Sequence, residues 1–164
     1  MTLEVIVVMD PIGSIRIEKD TTFAMLLEAQ RRGHHVSVAG IPDLGIEDGR
    51  ATVNARRVTV RDDPSDWYSA QPAQRRELES FDLAFMRTDP PVDAAYIHAT
   101  QILGLAQREG LHVVNDPQGL RDMNEKLAAL EFPECCPPTL VSRSASELRE
   151  FVAEQGDAVL KPLD

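Results

Sequence analysis

Three short stretches place acids, an arginine and an amide where strands should end: "MDPI" at Met9 to Ile12, "MRTDPP" at Met86 to Pro91 and "NDP" at Asn115 to Pro117. Each follows an apolar run, and the proline in each forbids further ladder bonding. In an open α/β sheet, ligands settle in the crevice outside the carboxyl ends of the strands, so three such ends can line one small-molecule site. Its candidate substrate-binding residues are Asp10, Arg87, Asp89 and Asn115. Arg87 leads them, because a guanidinium just beyond a buried strand can grip a carboxylate in bidentate fashion. The plain alternatives are that Asp-Pro merely ends a strand and that Arg87 pairs with Asp89 or Asp93.

Lys126 and Lys161 form a second constellation, the first in "NEKLAAL" and the second in "VLKPLD". Two ammonium groups suit phosphate oxygens as compact point charges. Spacing alone does not bring them together, and a surface lysine is the ordinary role of each. His34, His35, His98 and His112 lack metal-ligand spacing and fit solvated or satisfied histidines. Cys135 and Cys136 are adjacent, which gives neither a CxxC clip nor a disulfide framework, and packing is the role they fit. Trp67 and Tyr68 make either a contact patch or an anchor for the segment that carries them.

The elements that must position these residues follow from periodicity. Leu3 to Met9 reads as a strand buried on both faces. "DTTFAMLLEAQRRG" reads as a helix with Asp20 as cap, Phe23, Leu26, Leu27 and Gln30 at helical spacing and Gly33 as the left-handed stop. "HHVSVAG" gives the next strand and closes a right-handed βαβ unit. Asp48-Gly49 signals a type I′ turn in a hairpin excursion, and "SAQPAQRRELES" a polar surface segment. "FDLAFMR" is another buried strand, Val92 to Glu109 a long helix with Tyr96, Ile97, Ile102, Leu103 and Leu105 as apolar contacts, and "LHVVNDP" a short strand. Strand and helix thus alternate over the first ~120 residues, the signature of an open parallel sheet. After a division near residues 118–126, "NEKLAAL" predicts a short helix, "PPTLVSR" a strand, "SASELREFVAEQG" a helix with Ser144 and Glu147 at capping-box spacing, and "DAVLKPLD" a further strand.

Composition narrows the classes. The 43% hydrophobic and 27% charged residues are those of a globular protein, and no apolar run is long enough to span a bilayer, so a membrane role is not expected. The net charge of −10 opposes attraction to a phosphate backbone, which argues against nucleic acid as partner. "MTLEVIVVMD" lacks the basic start and cleavage site of a signal peptide, and with the two adjacent cysteines this predicts a reduced, cytoplasmic setting.

Taken in order, "VMDPIGSIRIEKDTTFAMLLEAQRRGH", "FMRTDPPVDAAYIHATQIL", "VVNDPQGLRDMNEKL" and "VLKPLD" resemble the bacterial glutathione synthetases, members of the ATP-grasp ligases, collinearly over the whole chain. The sequence departs from that pattern at Thr88, where the family usually carries a lysine. The resemblance implies an α/β fold: an open, mainly parallel Rossmann-like (pre-ATP-grasp) sheet with flanking helices over residues 1–122, the substrate domain, then the incomplete start of an ATP-grasp domain over residues 123–164. It implies ligation of γ-glutamylcysteine and glycine through an acyl phosphate with ATP, and no covalent enzyme intermediate. It matches Lys126 and Lys161 to lysines that contact ATP phosphates, and places a glycine-rich lid and Mg2+ ligands after Asp164. The 164-residue chain is therefore expected to be inactive alone, and the complete enzyme to be a cytoplasmic homo-oligomer. Two other readings stay open: another ATP-grasp carboxylate-amine ligase, or a non-catalytic Rossmann-like binding or interaction module.

Overall fold

The computed structural model describes residues 1–163. The chain forms two compact units, Met1–Arg121 and Asp122–Asp164.

The first unit is built on β1 (Glu4–Val8), which leads through a loop into α1 (Thr21–Arg31) and back to β2 (His35–Ala39), parallel to β1 from Glu4↔His35 to Val8↔Ala39. Asp20 caps α1, its carboxylate accepting from the Phe23 N–H at 2.8 Å, and Gly33 stops it at φ +79°. The hairpin follows: β3 (Leu44–Glu47) returns as β4 (Arg50–Val60) through Asp48 and Gly49, at φ +49° and +81°. Positive φ at both central residues is what a type I′ turn demands, and Asp-Gly accepts it. The segment read as polar surface instead forms β5 (Tyr68–Ala70) and β6 (Gln74–Glu77), both antiparallel to β4. Then come β7 (Leu83–Met86), α2 (Ala94–Arg108) capped by Asp93, and β8 (His112–Val114). The sheet order β3-β4-β2-β1-β7-β8 makes β2-β1-β7-β8 a parallel centre, with β4 continuing it antiparallel.

Alternation in β1 divides the core. Ile6 and Val8 face a cluster with Tyr96, Ala99, Leu103 and Ala106 of α2, whereas Val5 and Val7 face Phe23 and Leu26 of α1. A strand with helices on both faces must be apolar throughout, as "VIVV" is, and each fully buried Val or Ile contributes roughly 1.5–3 kcal/mol. β4 serves both layers, Ala51, Val53 and Ala55 entering the α2 cluster and Val58 and Val60 the α1 cluster. Gln30 ties α1 to its end, donating to the Val60 carbonyl and accepting from the Val60 N–H, both at 2.9 Å.

One carboxylate fastens the amino ends of β1 and β2 to β4 and β6. Glu4 lies 2.6 Å from His35 Nδ1 on β2, accepts from Arg57 Nη2 of β4 at 2.8 Å and from Arg76 Nη1 of β6 at 3.2 Å, while its own N–H donates to Asp82 at 2.7 Å. Arg76 also stacks 4.0 Å over the Phe81 ring. His34 and His35 are thus satisfied histidines, the former accepting from the Leu3 N–H through Nδ1 at 3.3 Å.

The first unit closes with α3 (Pro117–Asp122), and the second carries α4 (Glu125–Ala128) and α5 (Ala145–Gln155). Ser144 caps α5, accepting from the Glu147 N–H at 3.4 Å. The Glu147 carboxylate binds the Ser142 hydroxyl at 2.5 Å rather than completing the capping box. The strands expected in "PPTLVSR" and over Ala158 to Leu160 do not form: no strand exists among described residues 122–163, so a ladder has nothing to pair with, and Val159 and Leu160 are 82% and 70% exposed. Asp164, the end of "VLKPLD", lies outside the described residues. Cys135 is exposed and does not pack as expected, while Cys136 is partly buried and its thiol donates to the Ala129 carbonyl at 3.1 Å.

The Glu4 cluster makes a prediction for acid. Burial raises the Glu4 pKa, but the hydrogen bonds from His35, Arg57 and Arg76 outweigh it and hold the carboxyl at about 2, below its ordinary 4.5. A depressed carboxylate stabilises the fold above its unfolded pKa, and that contribution disappears as pH falls from about 4.5 towards about 2. Glu4→Gln should lower the melting temperature at neutral pH, and the gap to wild type should close across that window. Parallel melting-temperature curves from pH 7 to 2 would show that Glu4 does not carry the effect.

Candidate active site at the strand ends

The carboxyl ends of β2, β1 and β7 lie side by side, and hydrogen bonds carry their pairing past the strands: Met9 N–H donates to the Ala39 carbonyl at 2.9 Å and Arg87 N–H to the Val8 carbonyl at 2.7 Å. Asp10 and Arg87 therefore leave adjacent strands at one level. Asp10 also joins the next turn, its carboxylate accepting from the Asp89 N–H at 3.1 Å. Three of the four residues expected to bind substrate thus converge.

Two cavities open on this edge, sharing Met9, Asp10 and Asp89. The smaller, about 440 Å³, is polar and carries both signs of charge: Arg16, Lys19 and Arg87 against Asp10, Asp20 and Asp89, with Ser14, Thr21 and Thr22 between. A ligand with an ammonium and a carboxylate finds partners for both there. Arg87 does not pair with Asp89 or Asp93; its Nε donates to Thr22 Oγ1 at 3.1 Å and its Nη2 to Thr21 Oγ1 at 2.9 Å.

The larger cavity, about 770 Å³, is mostly apolar, with Ile12, Val38, Ile41, Tyr68 and Pro90 in its walls and Arg56 among them. The hydroxyl of Thr88 is buried in this region without a partner among the described residues. Trp67 and Tyr68 act as an anchor: the indole N–H donates to the Ile12 carbonyl at 3.4 Å and the two rings sit 5.5 Å apart. A Cβ on Gly13 would lie 3.0 Å from the Tyr68 hydroxyl, so a larger residue there would push the phenol aside by a few tenths of an ångström.

Asn115 follows β8, next to β7, but is exposed and lines neither cavity. The adjacent Asp116 has a local task. It accepts from the Gly119 and Gln118 N–H groups and from Gln107, and the Gly119 bond leads in holding its carboxyl below the usual range.

In the second unit, Asn124 caps α4, accepting from the Lys126 N–H at 3.0 Å, and donates through Nδ2 to the Leu163 carbonyl at 2.7 Å. One side chain thus ties the helix bearing Lys126 to the segment bearing Lys161. The Lys126 ammonium is 3.8 Å from Glu125, and Lys161 is exposed.

Sequence reasoning missed Thr21, Thr22, Arg16, Lys19 and Arg56. Two threonines directly after a helix cap were the only local hint, since a capped helix start presents its first side chains at a fixed place.

A parallel-centred α/β sheet with a charged cleft beyond its strand ends is the open α/β architecture whose ligand crevices lie outside the carboxyl ends of the strands. Residues 3–121 match the family model described as "Prokaryotic glutathione synthetase, N-terminal domain", and residues 125–164 match "Prokaryotic glutathione synthetase, ATP-grasp domain". The chain belongs to the prokaryotic glutathione synthetase family. It is 56% identical to the glutathione synthetase of Xanthomonas axonopodis pv. citri over 164 residues, 100% of this chain and 52% of that protein. It is 50% identical to that of Xylella fastidiosa (strain Temecula1), again over 100% of this chain and 52% of the relative. With that of Vibrio parahaemolyticus the identity is 48% over 158 residues, 96% of this chain and 50% of the relative. The chain spans about half the length of the curated relatives it matches.

The bond from Asp89 N–H to Asp10 should hold the turn after β7 in place. Asp10→Ala removes an exposed, charge-assisted bond worth roughly 1 kcal/mol, so hydrogen exchange at the Asp89 amide should quicken about fivefold, with Asp10→Asn retaining most of the protection. Equal exchange in all three proteins would show that the turn is held by other contacts.

Proposed function

We propose that this chain is the N-terminal half of a glutathione synthetase, which joins γ-glutamylcysteine to glycine at the expense of ATP. The observation that carries the reading is the succession, along one chain, of the two domain matches at residues 3–121 and 125–164. The charge of the smaller cavity agrees with it, because γ-glutamylcysteine bears an ammonium and carboxylates.

ATP supplies the γ-phosphoryl group that turns the cysteinyl carboxylate into an acyl phosphate; the glycine amine then attacks the acyl carbon, phosphate leaves with the bonding pair, and the amine loses a proton. In this reading Arg87 binds a substrate carboxylate, Asp10 and Asp89 face the ammonium, and Asn115 is a further contact at the strand ends. Lys126 and Lys161 meet ATP phosphate oxygens. Bringing a carboxylate to a polyphosphate opposes like charges, and fixed cations offset that repulsion most where water is excluded. Magnesium belongs to the same reading, but among the described residues no group of three or more His, Cys, Asp or Glu side chains is placed to hold a metal ion. No described helix is long and apolar enough to cross a membrane. The reading extends to a cytoplasmic location and to a homo-oligomer, the second of which light scattering on the complete protein checks.

In the complete protein, Lys161→Met and Lys126→Met should each weaken ATP binding by roughly 1.5–3 kcal/mol, the worth of a charge-assisted contact, with little change in melting temperature. Unaltered ATP kinetics would remove the phosphate role. Mass spectrometry of the products decides the substrates: a product formed without γ-glutamylcysteine would overturn the assignment.

A further inference from the structure

We propose that Thr21 and Thr22 are positioning residues that set the guanidinium of Arg87 as a ready-made carboxylate clamp; this rests on the substrate reading above. Arg87 Nε and Nη2 share one edge of the guanidinium, and that edge is occupied by Thr22 Oγ1 at 3.1 Å and Thr21 Oγ1 at 2.9 Å. The opposite edge, Nη1 with the second proton of Nη2, is the parallel pair of donors that matches the two oxygens of a carboxylate. Arg87 lines the smaller cavity, and among the described residues its side chain makes no hydrogen bond besides those to Thr21 and Thr22, which leaves this edge without a protein partner.

The partners are hydroxyls, which orient the cation without neutralising it. An aspartate in their place would fix Arg87 equally well and cancel the charge that a substrate carboxylate needs. The support is stiffest at Thr22. Thr22 is 5% exposed, its β-branched side chain has a restricted χ1, and the Asp20 cap fixes the first turn of α1. The Arg87 backbone is held on the other side by its N–H bond to Val8. A clamp ordered before binding loses less side-chain freedom when the ligand arrives.

The test uses the complete protein with γ-glutamylcysteine as probe in titration calorimetry, and NMR of the arginine Nε–H groups, with Arg87 assigned by Arg87→Lys. Thr22→Val removes the acceptor at nearly constant volume. It should raise the dissociation constant about tenfold, the scale of a lost bond to a charged group, while Thr22→Ser restores it and the melting temperature stays within a few degrees. The Arg87 Nε–H should exchange slowly in wild type and as fast as that of exposed Arg143 in Thr22→Val. If Arg87→Ala weakens binding and Thr22→Val does not, the positioning role is wrong and the substrate reading stands. If neither variant alters binding, the substrate reading falls and the clamp with it. Fast exchange at Arg87 in wild type overturns the proposal on structural grounds alone.

Discussion

β1 is hydrogen-bonded along both edges, by β2 and β7, and covered on both faces, by α1 and α2. Every backbone and side-chain group of Val5 to Val8 is committed, so the strand can neither slide nor turn over without exposing an entire face. That constraint sets the level of everything attached to it. Continuing the β2 and β7 pairings one residue past the strand leaves Asp10 and Arg87 no choice of neighbour, and the cleft between them follows from register rather than from loop conformation.

The other end of β1 is held by charge. A strand such as β6, Gln-Arg-Arg-Glu, has little apolar surface to bury, and it is kept on β4 by four paired residues and by Arg76, which reaches Glu4 and stacks on Phe81. Gathering three donors around one partly buried carboxylate would be costly if any were missing, because an unpaired ion loses solvation without recompense. The cluster therefore closes as a whole, and in closing it brings β4, and with it Tyr68 and Arg56, to the edge of the cleft.

Much of this was legible where local chemistry decides the outcome. The Asp20 cap, the Gly33 stop and the Asp48-Gly49 turn are all written in residues that tolerate few alternatives, and the two-sided apolar run of β1 announces a central parallel strand. β5 and β6 were not legible, because their propensity is weak and their pairing is imposed by β4 from elsewhere in the chain. The strands expected near Thr139 and Val159 failed for the converse reason: apolar, β-branched residues were present without a ladder to join. At the site, Asp10, Arg87 and Asp89 could be named from their positions at strand ends. The hold of Thr22 on Arg87 could not, since it spans 65 residues and leaves no periodic trace.

The same central strand has a consequence for the order of synthesis. The bond from Glu4 to Asp82 joins residues 78 positions apart, and the β1–β7 ladder begins beside it. A ribosome adding about 5–20 residues per second needs roughly 4–16 s to make the intervening chain. During that interval β1 has β2 on one side and an open edge of unpaired N–H and C=O groups on the other, between two apolar faces, the arrangement most prone to pairing with a second nascent chain. The hairpin emerges in the same interval, and β4 joins β2 on the side away from β1 through Arg56 and Arg57 before the last partner arrives.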